Sequence, residues 1–389
     1  MTLNKNLIRS FPILLNATKS VITPLLSLLF SYIIIKSNGP KLWGQFVEYL
    51  LFFYIAGIVC NWGSKMYLLR LFSSNPGSII QNWQDYFTVR FPIVVCFILI
   101  IILVYNPSFF IYLIVWLLSV FVKNSVLPII FYQRDFLKMI IVELLGFALL
   151  FFLIIQASAL TFQKTIEYYS LSMLFIAMGY IILYPKFFYL KKLKVDFNLL
   201  KLGLPFTLLA ITGFLQSKVD LYVLNFYANE VTLGNYQIIS GLFVFSQSIA
   251  GIIALPYIKN IFRLPAFTIK KIKNMMKWLG LISSIIASVI IYFLLNIYGI
   301  TLTYKGYIFG FFISFLCYLY TIDLYILLKQ NKENTIVKIS SLCLIINLLL
   351  SILFLSLGMN VEGVLLANAI CQFIAVLSYK YYSLNKLVS

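Results

Sequence analysis

No histidine occurs anywhere in the 389 residues. That removes imidazole as a general base and as a metal ligand. Charge is scarce as well: Asp, Glu, Lys and Arg together make up 11% of the chain, where a soluble domain carries about 25%. Acids are the scarcest, with eleven against thirty basic residues and a formal net charge of +19. The five cysteines, Cys60, Cys96, Cys317, Cys343 and Cys371, never form a Cys-x-x-Cys pair, and all lie in apolar runs. They read as small buried hydrophobes, not as ligands or disulfides. What the chain has in excess is apolar surface, 62% of its residues, close to what twelve membrane spans of roughly 20 residues each would use. Too little polar surface remains to cover a soluble domain. A soluble enzyme, a nucleic-acid-binding domain and a disulfide-stapled secreted fold are excluded, and an all-α polytopic membrane protein is expected.

Hydrophobic runs between charged or turn-rich breaks place the spans at 11–35, 45–63, 86–105, 109–131, 139–156 and 168–185, then 203–226, 235–256, 277–296, 305–328, 336–358 and 363–379. No small-residue cleavage site follows Lys5 and Arg9, so no cleaved signal peptide is expected. With the N-terminus inside, only Lys36, Lys41, Lys164 and Lys305 fall on the outer side, and Lys19, Lys123 and Lys218 fall within spans. The other twenty-three of the thirty basic residues, Lys65 and Arg90 among them, are assigned to the cytoplasmic side. This asymmetry is the positive-inside pattern and puts both termini in the cytoplasm. The basic linkers 186–202 and 257–276 are expected to lie along the anionic inner leaflet.

Six spans, a basic linker and six more spans indicate a duplication, with lobes 1–190 and 191–389 expected to face a central cavity. Local pattern agrees: Phe11-Pro12 opens the first span and Leu204-Pro205-Phe206 the seventh. The first copy ends in Gly39-Pro40-Lys41-Leu42-Trp43-Gly44-Gln45-Phe46, the second in Asn229-Glu230-Val231-Thr232-Leu233-Gly234-Asn235-Tyr236. These features, with Asn61-Trp62-Gly63 and Arg70 after the second span, resemble the polysaccharide-exporting branch of the multidrug/oligosaccharidyl-lipid/polysaccharide (MOP) superfamily. The stretch from Gly203-Leu204-Pro205 through Val219-Asp220 to Gly234-Asn235-Tyr236 is similar to the seventh-span pattern of O-antigen (Wzx-type) flippases. Two departures are visible: the chain is shorter than many relatives, and Asn61-Trp62-Gly63 stands where an acidic residue, Phe and Gly are usual. The resemblance implies a MOP/MATE-like fold in the bacterial inner membrane. It also implies an undecaprenyl-diphosphate-linked oligosaccharide as substrate, for O-antigen, capsule or another surface polysaccharide. Membrane lipids, a polysaccharide polymerase and a chain-length regulator are the implied partners.

A charge at the centre of a spanning helix costs at least about 2.5–3.5 kcal/mol, so each such residue is a functional candidate. At 1.5 Å per residue, Lys19 in span one and Lys123 in span four both lie about 12 Å from the cytoplasmic end, level enough to converge on one anion. Asn16, Lys19, Thr23, Ser27 and Ser31 recur at helical spacing and form one polar face, suited to a cavity wall or to interhelical hydrogen bonds. Lys218 and Asp220 lie deeper in span seven but about 200° apart around the helix, so both line one cavity only if the helix bends, for which Gly213 offers a place. Asn16, Lys19, Lys123 and Lys218 are the candidate diphosphate-binding residues. Asp220, at the family-like position, and Glu143, which is also placed to pair with Lys123, are the candidate coupling carboxylates. Glu48 and Asp323, near span ends, read as interfacial.

Absences narrow the chemistry further. Membrane O-acyltransferases need a histidine, and lipid-carrier glycosyltransferases need acids in the first external loop, which here reads Lys36-Ser37-Asn38-Gly39-Pro40-Lys41. Gly39 to Gly44 is followed by Gln45, so it is no P-loop. No external loop is large enough for an oligosaccharide polymerase. No enzyme, catalytic residue, cofactor or metal is expected. Three readings stay open: a flippase whose cationic groups hold a diphosphate, a MATE-like exporter of cationic compounds, and a non-transporting scaffold. The exporter would want a carboxylate low in span one, where this chain has Lys19.

Overall fold

A computed structural model of the chain describes residues 2–157, 159–189, 196–261, 266–330 and 332–384, with side chains from residue 15 onward except at 255–261, 266 and 384. Parts of both basic linkers fall outside the described residues. The described residues form fifteen α-helices and two short 3-10 turns, with no strand. Twelve helical segments are long and apolar enough to cross a membrane, so the protein is an all-α, multi-pass membrane protein. A spanning segment must satisfy its own backbone polar groups, which leaves a chain of this composition little alternative to helices.

The helices divide into two compact units. The first unit comprises Met1–Asn38 and Glu48–Ile211, the second Gly39–Val47 and Thr212–Ser389. The first holds α1 (Thr2–Asn38), most of α2 (Pro40–Asn61), α3 (Ser64–Ser74), α4 (Ile79–Val89), α5 (Phe91–Val104), α6 (Phe110–Gln133), α7 (Phe136–Gln156), α8 (Phe162–Leu183) and the single turn α9 (Pro185–Phe188). The second holds the later part of α10 (Asn198–Tyr227), α11 (Glu230–Ile261), α12 (Ala266–Tyr298), α13 (Tyr304–Lys329), α14 (Glu333–Ser356) and α15 (Asn360–Leu384). Two helices thus pass from one unit into the other: α2 leaves the second unit after Val47, and α10 leaves the first after Ile211.

Glycines make the close approaches at the borrowed ends. In the second unit a Cβ on Gly44 would sit 1.7 Å from the Glu230 carbonyl oxygen, and one on Gly234 would sit 2.8 Å from the Pro40 carbonyl oxygen. The first turns of α2 and α11 therefore touch backbone to backbone, at the two glycines that occupy matching places in the sequence repeat. The Trp43 indole donates to Gln237 Oε1 across this crossing at 3.1 Å. In the first unit, Trp62 and Gly63 both take left-handed backbone angles (φ 45° and 64°) to turn the chain from α2 into α3. A non-glycine residue there costs roughly 1–2 kcal/mol. Trp62 is held by its indole donating to the Leu200 carbonyl at 2.7 Å, and its own carbonyl accepts from the Tyr86 hydroxyl at 2.5 Å. A Cβ on Gly203 would lie 1.9 Å from that same hydroxyl. The unusual Asn61-Trp62-Gly63 stretch is thus the turn that docks the start of α10.

The segment after span two is not a simple loop. Ser64, Leu68 and Phe72 bury one face of α3, and Trp83, Tyr86 and Phe87 bury one face of α4. The Trp83 indole donates to the Ser125 carbonyl of α6 at 2.7 Å. Asp323 is not interfacial: it is buried and takes hydrogen bonds from Lys273 of α12 and Ser383 of α15. Of the cysteines, Cys60, Cys343 and Cys371 are buried, Cys317 is half-buried, and Cys96 is exposed on the α5 surface.

Candidate functional site

Three carboxylates are buried among the described residues, Glu143, Asp220 and Asp323. A buried carboxylate persists as an anion only where donors and cations replace its water. Asp323 has its lysine. The other two are centres of separate polar clusters, one in each unit.

Glu143, on α7 and 2% exposed, receives Lys123 of α6 on Oε1 at 3.0 Å and the Thr23 hydroxyl of α1 on Oε2 at 2.8 Å. Lys19, one turn before Thr23, is half-buried and within electrostatic reach of both Glu143 and Lys123. The two lysines placed level by helical rise therefore gather around one anion, and that anion is the protein's own. Lys65, at the start of α3, is within reach of Lys19 and lies 3.9 Å over the Phe131 ring of α6. It is a member of this cluster. Lys123 keeps 20% of its side chain exposed, whereas Glu143 keeps 3%. Asn16 is half-buried one turn before Lys19, and its carbonyl accepts from the Ser20 hydroxyl. Along the same helix Ser31 is buried and Ser27 is exposed.

Asp220 is fully buried in the second unit. Its Oδ2 accepts from the Tyr236 hydroxyl of α11 at 2.6 Å and from Asn368 Nδ2 of α15 at 3.3 Å, and its Oδ1 accepts from the Leu221 amide at 2.8 Å. Donors from two other helices fix this carboxylate where a transmembrane cation would otherwise be needed. Lys218 is half-buried two residues earlier, in electrostatic reach of Asp220 but in no ion pair with it among the described residues. Lys218 belongs to the second unit, Lys19 and Lys123 to the first.

Arg90, which the sequence places in a loop, is no surface charge: it is fully buried. Its Nε donates to the Tyr86 carbonyl at 2.9 Å, Nη1 to the Asn61 carbonyl at 3.1 Å, and Nη2 to Ser125 Oγ at 3.1 Å. The guanidinium sits over the Tyr86 and Phe121 rings at 5.2 and 5.1 Å. Asn61 ends α2 and Tyr86 lies in the last turn of α4, so one cation serves two helix C-termini, where the macrodipole is negative. The clue available in the sequence was the aromatic spacing Trp83, Tyr86, Phe87, which marks a packed helix face just before Arg90.

This is the architecture of a helical, multi-pass membrane protein with paired charges buried inside each unit. No family model matches the sequence, and no curated protein does. Among solved structures the chain is similar to the lipid II flippase MurJ in its inward closed conformation, with a TM-score of 0.74 and 14% sequence identity. The alignment covers 95% of this chain and 87% of that one. The two chains therefore share a fold.

Proposed function

We propose that the protein is a flippase that carries an undecaprenyl-diphosphate-linked oligosaccharide from the inner to the outer leaflet of the bacterial inner membrane by alternating access. The observation that supports this reading is the cluster in the first unit. Lys19 and Lys123 gather around a single carboxylate, Glu143, and Lys65 lies within reach of Lys19, so three cations and one anion leave an excess of two positive charges. A diphosphate diester carries two negative charges, so it balances the cluster where a monophosphate diester would leave one cation over. An unbalanced charge in a low-dielectric site is costly, and the match favours the diphosphate. Lys218 and Asn16 are further candidates for the headgroup or glycan. Asp220 is the first candidate for coupling the cycle to an ion gradient and Glu143 the second, since no nucleotide motif supplies energy. The O-antigen or other glycan would reach a polymerase and a chain-length regulator on the outer side.

The alternative, a MATE-like exporter of cationic compounds, is disfavoured by that same excess positive charge, which repels its substrates. The test is transport in proteoliposomes with an imposed proton or sodium gradient. Lys19→Glu and Lys123→Gln should each reduce movement of a lipid-linked oligosaccharide by tenfold or more, about 1.4 kcal/mol. Wild-type rates in both would overturn the assignment of the site, and extrusion of a cationic dye in place of the lipid would establish the exporter.

A further inference from the structure

The anion already present at Lys123 calls for an explanation, because a diphosphate and Glu143 compete for the same ammonium group. Lys123 is the more exposed partner of the pair and Glu143 the enclosed one, so Lys123 can turn toward a ligand while Glu143 stays. A second observation bears on what happens to Glu143 then. The hydroxyl of Tyr180, on α8, is buried with no hydrogen-bond partner among the described residues, and lies within electrostatic reach of Glu143. A buried unsatisfied hydroxyl is costly and rare in native proteins. It is accounted for if Tyr180 has a partner in another state of the molecule.

We infer that Glu143 is a resident counter-ion that the substrate's diphosphate displaces from Lys123, and that Tyr180 then joins Thr23 in holding the released carboxylate. This rests on the diphosphate reading above and adds to it what holds Lys123 when the site is empty and how the site lets its ligand go. With the site empty, Lys123 is bound to Glu143 and the cluster has two cations to spare. When diphosphate enters, Lys123 moves to it and Glu143 is left with the Thr23 hydroxyl and the Tyr180 hydroxyl as donors. Release is the reverse exchange, with Glu143 competing for Lys123 and lowering the barrier to departure. Because Lys123 is on α6, Glu143 on α7 and Tyr180 on α8, the exchange trades a tie between α7 and α6 for one between α7 and α8, while Thr23 keeps α1 on Glu143. A ligand shifts a conformational equilibrium only through such differential contacts.

The experiment is equilibrium binding of undecaprenyl diphosphate to the purified full-length protein in detergent micelles, read by native mass spectrometry, with thermal stability recorded for each variant. Glu143→Gln removes the competitor and should bind about tenfold more tightly while transporting more slowly. Tyr180→Phe should bind about tenfold more weakly, with apo stability equal to or above wild type, since its hydroxyl has no partner to lose. Glu143→Asp should stay near the wild-type affinity, and Glu143→Gln added to Lys123→Gln should give no gain over Lys123→Gln alone. A purely structural Glu143 would make both single variants weaker binders or neither. Unchanged or weaker binding by Glu143→Gln, or unchanged binding by Tyr180→Phe, overturns the exchange. If Glu143→Gln does not fold, Tyr180→Phe decides alone. Failure of the wild type itself to bind the lipid, or no loss on Lys123→Gln, sinks the diphosphate reading instead.

Discussion

Arg90 and Lys65 both belong to the packed stretch after span two, where Lys65 lies at the start of α3 and Arg90 follows the last residue of α4. Sorting charges by loop does not distinguish a buried guanidinium such as Arg90 from an exposed one. Lys19, Lys123 and Glu143, by contrast, were legible, because helical rise alone fixes depth and depth brought them level. The pairing of Lys123 with Glu143 was legible in the same way; what depth could not show was that Thr23 of α1 closes on the same carboxylate, since the direction a side chain faces is set only when the helices pack. Asp220 was legible as buried and special; its partners Tyr236 and Asn368 carry no motif. Two outcomes follow at this scale. Replacing Arg90 by Leu strips donors from the ends of α2 and α4 and from Ser125, and should cost about 1–3 kcal/mol for each acceptor left unpaired, seen as a large loss of folded protein in detergent. Lys at that position keeps the charge but loses the fork geometry and should recover only part of the loss. Asp220→Asn should preserve the fold, since the amide oxygen still accepts from Tyr236, while changing the dependence of transport on the imposed gradient.

At the scale of elements, α2 and α10 matter most. Each begins packed in one unit and continues in the other, and each is anchored at its start by contacts that leave no room for a side chain. The repeat in the sequence marked Gly44 and Gly234 as equivalent, but it did not say that the two would touch. That depends on the crossing of α2 and α11, which no local pattern encodes. Gly44→Ala forces a Cβ against the Glu230 carbonyl and should destabilise the protein by about 1–3 kcal/mol, read as a lower melting temperature in detergent. Gly213, on the later part of α10, has open space around its Cα and no left-handed angle. Alanine there should be neutral or stabilising by up to about 1 kcal/mol in the same measurement. Equal effects at both positions would remove the close crossing from the account.

For the whole molecule, the number and order of the spans followed from composition and hydropathy, because a membrane helix declares itself over about 20 residues. Boundaries were less legible where helices run on past the apolar core, as in α1, α10 and α12. The sidedness drawn from the lysines is tested by reporter fusions: Asn106, Leu160 and Asn229 should report outside, Asn75 and Asn274 inside. Reversal at any two sites would contradict the topology. The protein's activity is tested most directly by one flux measurement in proteoliposomes loaded side by side with an undecaprenyl-diphosphate-linked oligosaccharide, its monophosphate-linked counterpart and a cationic dye. The diphosphate-linked lipid should cross fastest, the monophosphate-linked lipid more slowly and the dye not at all. Equal rates for the two lipids would contradict the charge match at Lys19, Lys65 and Lys123, and movement of the dye alone would contradict the flippase itself.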